Sequence, residues 1–140
     1  MIRKLDHLGI AVRSIAEARA FWEALGLTIE EIEEVPQEGV RVAMLRLGET
    51  RIELLEPTAD DSPVARFLER RGPGIHHLCV ESDALGDDDA RLRAAGVELL
   101  RPVPTAGAGG ARVQFVHPKS AGGVLVELAE PAAGRRREEP

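Results

Sequence analysis

Apolar side chains dominate residues 4–12, KLDHLGIAV, and no outward polar alternation follows His7. A strand buried on both faces, or lining a cavity, has this pattern. Ser14 then offers a helix cap, with Glu17 three residues on as a capping box. Ile15, Ala18, Phe21, Trp22 and Leu25 recur at helical spacing, and Gly26 ends the helix. Alternation resumes over 27–35 through Leu27, Ile29, Ile32 and Val35, and Pro36 to Gly39 turn the chain. Residues 40–47 and 51–56 read as two strands joined at Gly48–Glu49, which makes this stretch a βαβββ module. Residues 58–73 read as a connector helix capped by Asp61 or Ser62, with Pro63 in its first turn and Gly72 at its end. The order then repeats: a strand over 75–81, a helix from Asp87 to Ala95 stopped by Gly96, and strands over 97–101, 112–117 and 123–129. Pro102 to Gly110 reads as a flexible loop and 132–140 as a charged, disordered tail.

The two modules match in detail. His7 in DHLGIAV aligns on His77 in GIHHLCV, and ALGLT (24–28) aligns on AAGVE (94–98). RIELLEP (51–57) aligns on LVELAEP (125–131), setting Glu53 on Glu127, Glu56 on Glu130 and Pro57 on Pro131. Such self-similarity marks a duplicated structural unit. The expected fold is α+β. Tandem βαβββ modules, about 4–57 and 74–131 with the connector helix over 58–73, form curled mixed sheets around a metal cleft in a single domain spanning 1–140. A pseudo-twofold would bring His7, Glu53, His77 and Glu127 towards one point.

Two imidazoles and two carboxylates suit a divalent transition metal, and on a six-coordinate ion they leave two positions open for a reacting ligand. Singly, each residue has a plainer reading. A strand histidine can be a satisfied core residue, and either Glu can be an outward polar position. Their recurrence in repeat-related pairs favours the joint reading, because a carboxylate inside an apolar run is costly unless paired or metal-bound. Neighbours on a strand face opposite ways, and the repeat selects His77 over His76 as the ligand. Glu56 and Glu130, three residues beyond, read as solvated strand ends. Arg66, Arg70 and Arg71 read as the exposed face of the connector helix. The glycines from 107 to 110 lack the following helix that a phosphate loop needs.

Composition narrows the class. A formal net charge of −6 argues against a nucleic-acid partner. With three Phe, one Trp and no Tyr, the core must be aliphatic. A single cysteine, Cys79, excludes an internal disulfide and fits a reducing compartment. The chain shows no leader-like apolar region and no apolar run of about 18 residues, so a cytoplasmic location without membrane contact is expected.

With these residues in hand, the chain resembles the vicinal oxygen chelate superfamily (glyoxalase/bleomycin resistance), and within it the methylmalonyl-CoA epimerases. The likeness runs from DHLGIAV to GVLVELAEP and is most specific in EEVPQEGVRVAML (33–45), ETRIELLEPTADDSPVARFLERRGPGIHHLCVE (49–81) and GARVQFVHPKSAGGVLVEL (110–128). The resemblance implies a metal on His7, Glu53, His77 and Glu127, a CoA thioester substrate, interconversion of the methylmalonyl-CoA epimers in propionate metabolism, and a homodimer. Co²⁺ leads as the ion, with Mn²⁺, Ni²⁺ and Zn²⁺ also suited to such ligands. Some epimerases use a third-strand Glu as a base; here Arg41, Val42 and Ala43 stand nearby, so Glu53 and Glu127 become the expected acid/base pair. The competing readings are a glyoxalase I-type lyase, a ring-cleaving dioxygenase, which needs only three protein ligands, and a metal-free small-molecule-binding module.

Overall fold

The computed structural model describes residues 1–133; most of the tail expected to be disordered, 132–140, lies outside them. The fold is mixed α+β, with eight strands, three α-helices and three single-turn 3-10 helices among the described residues. By contacts the chain divides into two compact units. One is Asp6–Leu78, and the other joins Met1–Leu5 to the chain from Cys79 onward.

In the first unit, β1 (Ile2–Ala11, from Asp6 on), α1 (Ile15–Ala24), β2 (Ile29–Val35), β3 (Val40–Leu47) and β4 (Thr50–Pro57) give the βαβββ order. The strands lie β2-β3-β4-β1. β2/β3 and β3/β4 are antiparallel, whereas β4/β1 is parallel with His7 opposite Arg51 and Gly9 opposite Glu53. The core forms where α1 lays Ile15, Ala18 and Trp22 against Val12, Ala43, Leu45, Ile52 and Leu54. Phe21 and Leu25 depart from the expected apolar face. They are about 60% exposed, because Ile15, Ala18 and Trp22 already fill the stripe that meets the sheet. Ser14 caps α1 as expected, its hydroxyl accepting from the Glu17 amide at 3.3 Å. Gly39 takes a left-handed conformation (φ 65°) at the turn into β3, where a Cβ would also stand 2.7 Å from that of Ser62. The connector helix α2 (Pro63–Arg71) is capped by Ser62, which accepts from the Ala65 amide at 3.1 Å. Arg66, Arg70 and Arg71 are exposed on it.

The second unit holds the end of β5 (Gly74–Ser82), α3 (Leu85–Ala94), β6 (Thr105–Ala106), β7 (Arg112–Val116) and β8 (Val126–Glu130). Strands β8-β7-β6 pair antiparallel. Leu85, Val116 and Leu128 centre one core cluster, with Val80, Leu92, Val97 and Leu99 packed on it. Two expectations change here. Residues 97–101 make a single bridge, Leu99 to Val116, instead of a strand. The ladder stops because the buried Gln114 amide takes both backbone groups of Arg101, its Oε1 accepting from the amide (3.2 Å) and its Nε2 donating to the carbonyl (2.9 Å). Pro102, next, has no N–H to offer. The stretch from Pro102 to Gly110 is also partly ordered: Thr105 and Ala106 pair with Val113 and Arg112.

Glu56 and Glu130 are not solvated strand ends. Glu56 Oε1 accepts from the amide of Ile15, the first residue of α1, at 3.0 Å, and Glu130 Oε1 accepts from that of Leu85, the first residue of α3, at 3.4 Å. Each carboxylate meets an orphan donor at the positive end of its own module's helix. That is why α3 starts at Leu85, ahead of Asp87, without a side-chain cap from Ala84.

Candidate active site

In the first unit, buried His7 stands between Glu53, at its Nδ1 edge, and His77, at its Nε2 edge. His7 and Gly9 share a face of β1, because side chains alternate along a strand. The parallel register sets Arg51 and Glu53 of β4 beside them. His77 lies towards the middle of β5, and its ring covers Gly9: a Cβ there would stand 2.2 Å from its Cε1. The glycine is what admits the imidazole.

The two rings meet edge to face, with centroids 5.2 Å apart at an interplanar angle of 86°. Nε2 of His7 stands 3.1 Å from Nε2 of His77. The other nitrogen of His7, Nδ1, lies 2.7 Å from Asp6 Oδ2, with hydrogen-bond geometry, and 2.7 Å from Glu53 Oε2. Arg51 Nη2 donates to Asp6 Oδ2 at 2.7 Å and stands 3.8 Å from Glu53 Oε2. Burial alone would push the Asp6 carboxyl up. The His7 hydrogen bond and the Arg51 charge outweigh it and hold the pKa at about 2. Glu53 and His77 are almost wholly buried.

His76 differs from its neighbour as strand parity requires. It is half-buried, packs its ring against Phe67 (centroids 5.1 Å) and turns Nδ1 to within 2.9 Å of His77 Nδ1. Glu127 belongs to the second unit, buried on β8 opposite Phe115 of β7. Position 42 is a buried valine on β3, facing Leu55 of β4.

The donor set fits a divalent ion. Two nitrogens at right angles on one metal, each about 2.1 Å from it, stand about 3.0 Å apart, and the observed separation is 3.1 Å. Imidazole nitrogens are donors such an ion takes; Glu53 Oε2 stands at the Nδ1 edge of His7, away from the Nε2 pair. Sequence reasoning missed Asp6, Gly9 and Arg51. The signals available were Asp6 directly before the histidine, and Gly9 and Arg51, which lie two residues from His7 and Glu53 and so share their strand faces.

The sequence pattern of the glyoxalase/bleomycin resistance protein/dioxygenase superfamily matches residues 6–115. The chain is 40% identical over 133 residues to the ethylmalonyl-CoA/methylmalonyl-CoA epimerase of Cereibacter sphaeroides, covering 93% of this chain and 99% of that one. It is 40% identical over 129 residues to the mitochondrial methylmalonyl-CoA epimerase of Homo sapiens, covering 91% and 73%. A solved structure of a variant of the Streptomyces coelicolor methylmalonyl-CoA epimerase, in complex with 2-nitronate-propionyl-CoA, superposes with a TM-score of 0.91 at 36% identity, covering 95% and 100%.

Proposed function

We propose that this chain, which belongs to the glyoxalase/bleomycin resistance protein/dioxygenase superfamily, interconverts the (2R) and (2S) epimers of methylmalonyl-CoA by removing and returning the α-proton. The observation that carries the reading is the pair of buried Nε2 atoms, 3.1 Å apart, in a chain this similar to named epimerases. His7, Glu53 and His77 from one unit, with Glu127 from the repeat-related strand, would hold a divalent ion. Co²⁺, Mn²⁺, Ni²⁺ and Zn²⁺ all suit these donors, Co²⁺ first. When bound, such an ion supplies positive charge at the thioester oxygen, where negative charge collects as the α-proton leaves.

The chain's own groups do the rest. Burial keeps water from the histidine pair, which strengthens every charge interaction there. The α-carbon lies between a thioester and a carboxylate, and the thioester carbonyl is the group that takes up negative charge as the proton leaves. Epimerisation takes the proton from one face and returns it on the other. Glu53 and Glu127, related by the repeat, supply one acid/base group for each face, a role worth roughly 10²–10⁴-fold in rate. The valine at position 42 has no ionisable group to offer.

The test is deuterium wash-in at the α-carbon of methylmalonyl-CoA in D₂O, with and without a chelator. Label should enter both epimers and stop when the ion is removed. No wash-in sinks the epimerase reading, and wash-in indifferent to the chelator sinks the metal's part in it.

A further inference from the structure

Each candidate ligand histidine follows a residue whose side chain holds its other nitrogen. Asp6 Oδ2 sits 2.7 Å from Nδ1 of His7 with hydrogen-bond geometry, Glu53 Oε2 standing equally near, and Nδ1 of His76 sits 2.9 Å from Nδ1 of His77. The repeat that aligns His7 on His77 also aligns Asp6 on His76. In both copies the preceding side chain reaches back to the Nδ1 edge, and in both the Nε2 edge faces the other ring at 3.1 Å.

We propose that Asp6 and His76 are the positioning residues of this site: each accepts the Nδ1 proton of the histidine after it, so that Nε2 of both rings offers a lone pair to one shared ion. The inference rests on the metal-centre reading above. A neutral imidazole carries one proton, and the nitrogen without it is the ligand. Asp6 as a carboxylate can only accept, which fixes His7 as the Nδ1–H tautomer. His76 fixes His77 in the same way only if its own Nδ1 is bare, so His76 must carry its proton on Nε2. The His76 ring is also held in place. It packs edge-on against Phe67, over which the Arg71 guanidinium lies 5.8 Å from the centroid. The two copies thus do the same job with different acceptors, one charged and one neutral.

The experiment uses the full chain loaded with Zn²⁺, which is diamagnetic. Imidazole ¹⁵N spectra should show His7 and His77 protonated at Nδ1, and His76 protonated at Nε2 alone. A His76 ring that keeps its Nδ1 proton in the loaded protein overturns the proposal without any variant. In parallel, Zn²⁺ titration of His76→Ala and Asp6→Ala should each show affinity lost by about 10–100-fold, the usual cost of removing a group that orients a metal ligand. Asp6→Asn, which keeps an acceptor oxygen, should recover most of the loss. Variants that bind Zn²⁺ as the parent does, with circular dichroism unchanged, overturn it as well. A parent chain that binds no Zn²⁺ overturns the metal-centre reading itself and the positioning roles with it, so the two failures are told apart by the parent alone.

Discussion

At the scale of single residues, Glu53 and Glu127 carry the proposed chemistry. Glu53→Gln keeps an oxygen ligand and removes a proton acceptor, and so does Glu127→Gln. Each variant should retain metal and lose epimerisation, by roughly 10²-fold or more. Each should still wash deuterium into one epimer only, and the two should differ in which. An epimerisation rate near the parent's in either variant would assign the base elsewhere. Gly9 makes a separate prediction. A Cβ at position 9 would overlap the His77 ring at 2.2–2.8 Å, so Gly9→Ala must push that ring off the Nε2 of His7. Overpacking of this kind costs about 1–3 kcal/mol, but the sharper readout is metal affinity, which should fall while circular dichroism is retained; unchanged affinity would show that the ring need not lie over position 9. His7, Glu53 and His77 were legible because they break the apolar pattern of their strands. Gly9 was not, since the need for a missing side chain appears only once His77 is seen lying over it.

At the scale of elements, the repeat-related Glu56 and Glu130 show what linear reading cannot supply. Both sit just before a proline at a strand end, a place that suggests solvent. Each instead accepts from the first amide of a helix far away in sequence. Glu56 adds an ion pair to Arg41 at 2.8 Å. Glu56→Ala should therefore lower stability by about 0.5–2 kcal/mol, the range for losing a helix cap, read as a fall in the urea midpoint. Glu56→Gln, which keeps a carbonyl acceptor, should lose less. The Glu130 contact is longer, so Glu130→Ala should lose less than Glu56→Ala; equal midpoints for the parent and both alanine variants would make these carboxylates bystanders. Short-range signals served well where partners were close, as at Ser14 with Glu17 and Ser62 with Ala65. They failed for 97–101, where the competing group is the Gln114 amide, a residue no local window connects with Arg101.

At the scale of the whole molecule, the division into units runs through β1 and β5, between Leu5 and Asp6 and between Leu78 and Cys79. The sequence repeat places its boundaries in the connector instead, since a repeat reports ancestry and the units report contact. Both histidines consequently fall in Asp6–Leu78, while Glu127 falls in the other unit. A divalent ion that binds only the native chain stabilises it by mass action. At about 100 times its dissociation constant such an ion adds about 2.7 kcal/mol, several degrees in melting temperature for a chain of this size. Thermal unfolding of the parent with added Zn²⁺ or Co²⁺ should show one transition moving upward, and a chelator should reverse it. His7→Ala and Glu127→Ala, one from each unit, should both abolish the shift. If His7→Ala abolishes it and Glu127→Ala leaves it whole, the ion belongs to the first unit alone and the four-ligand set is wrong.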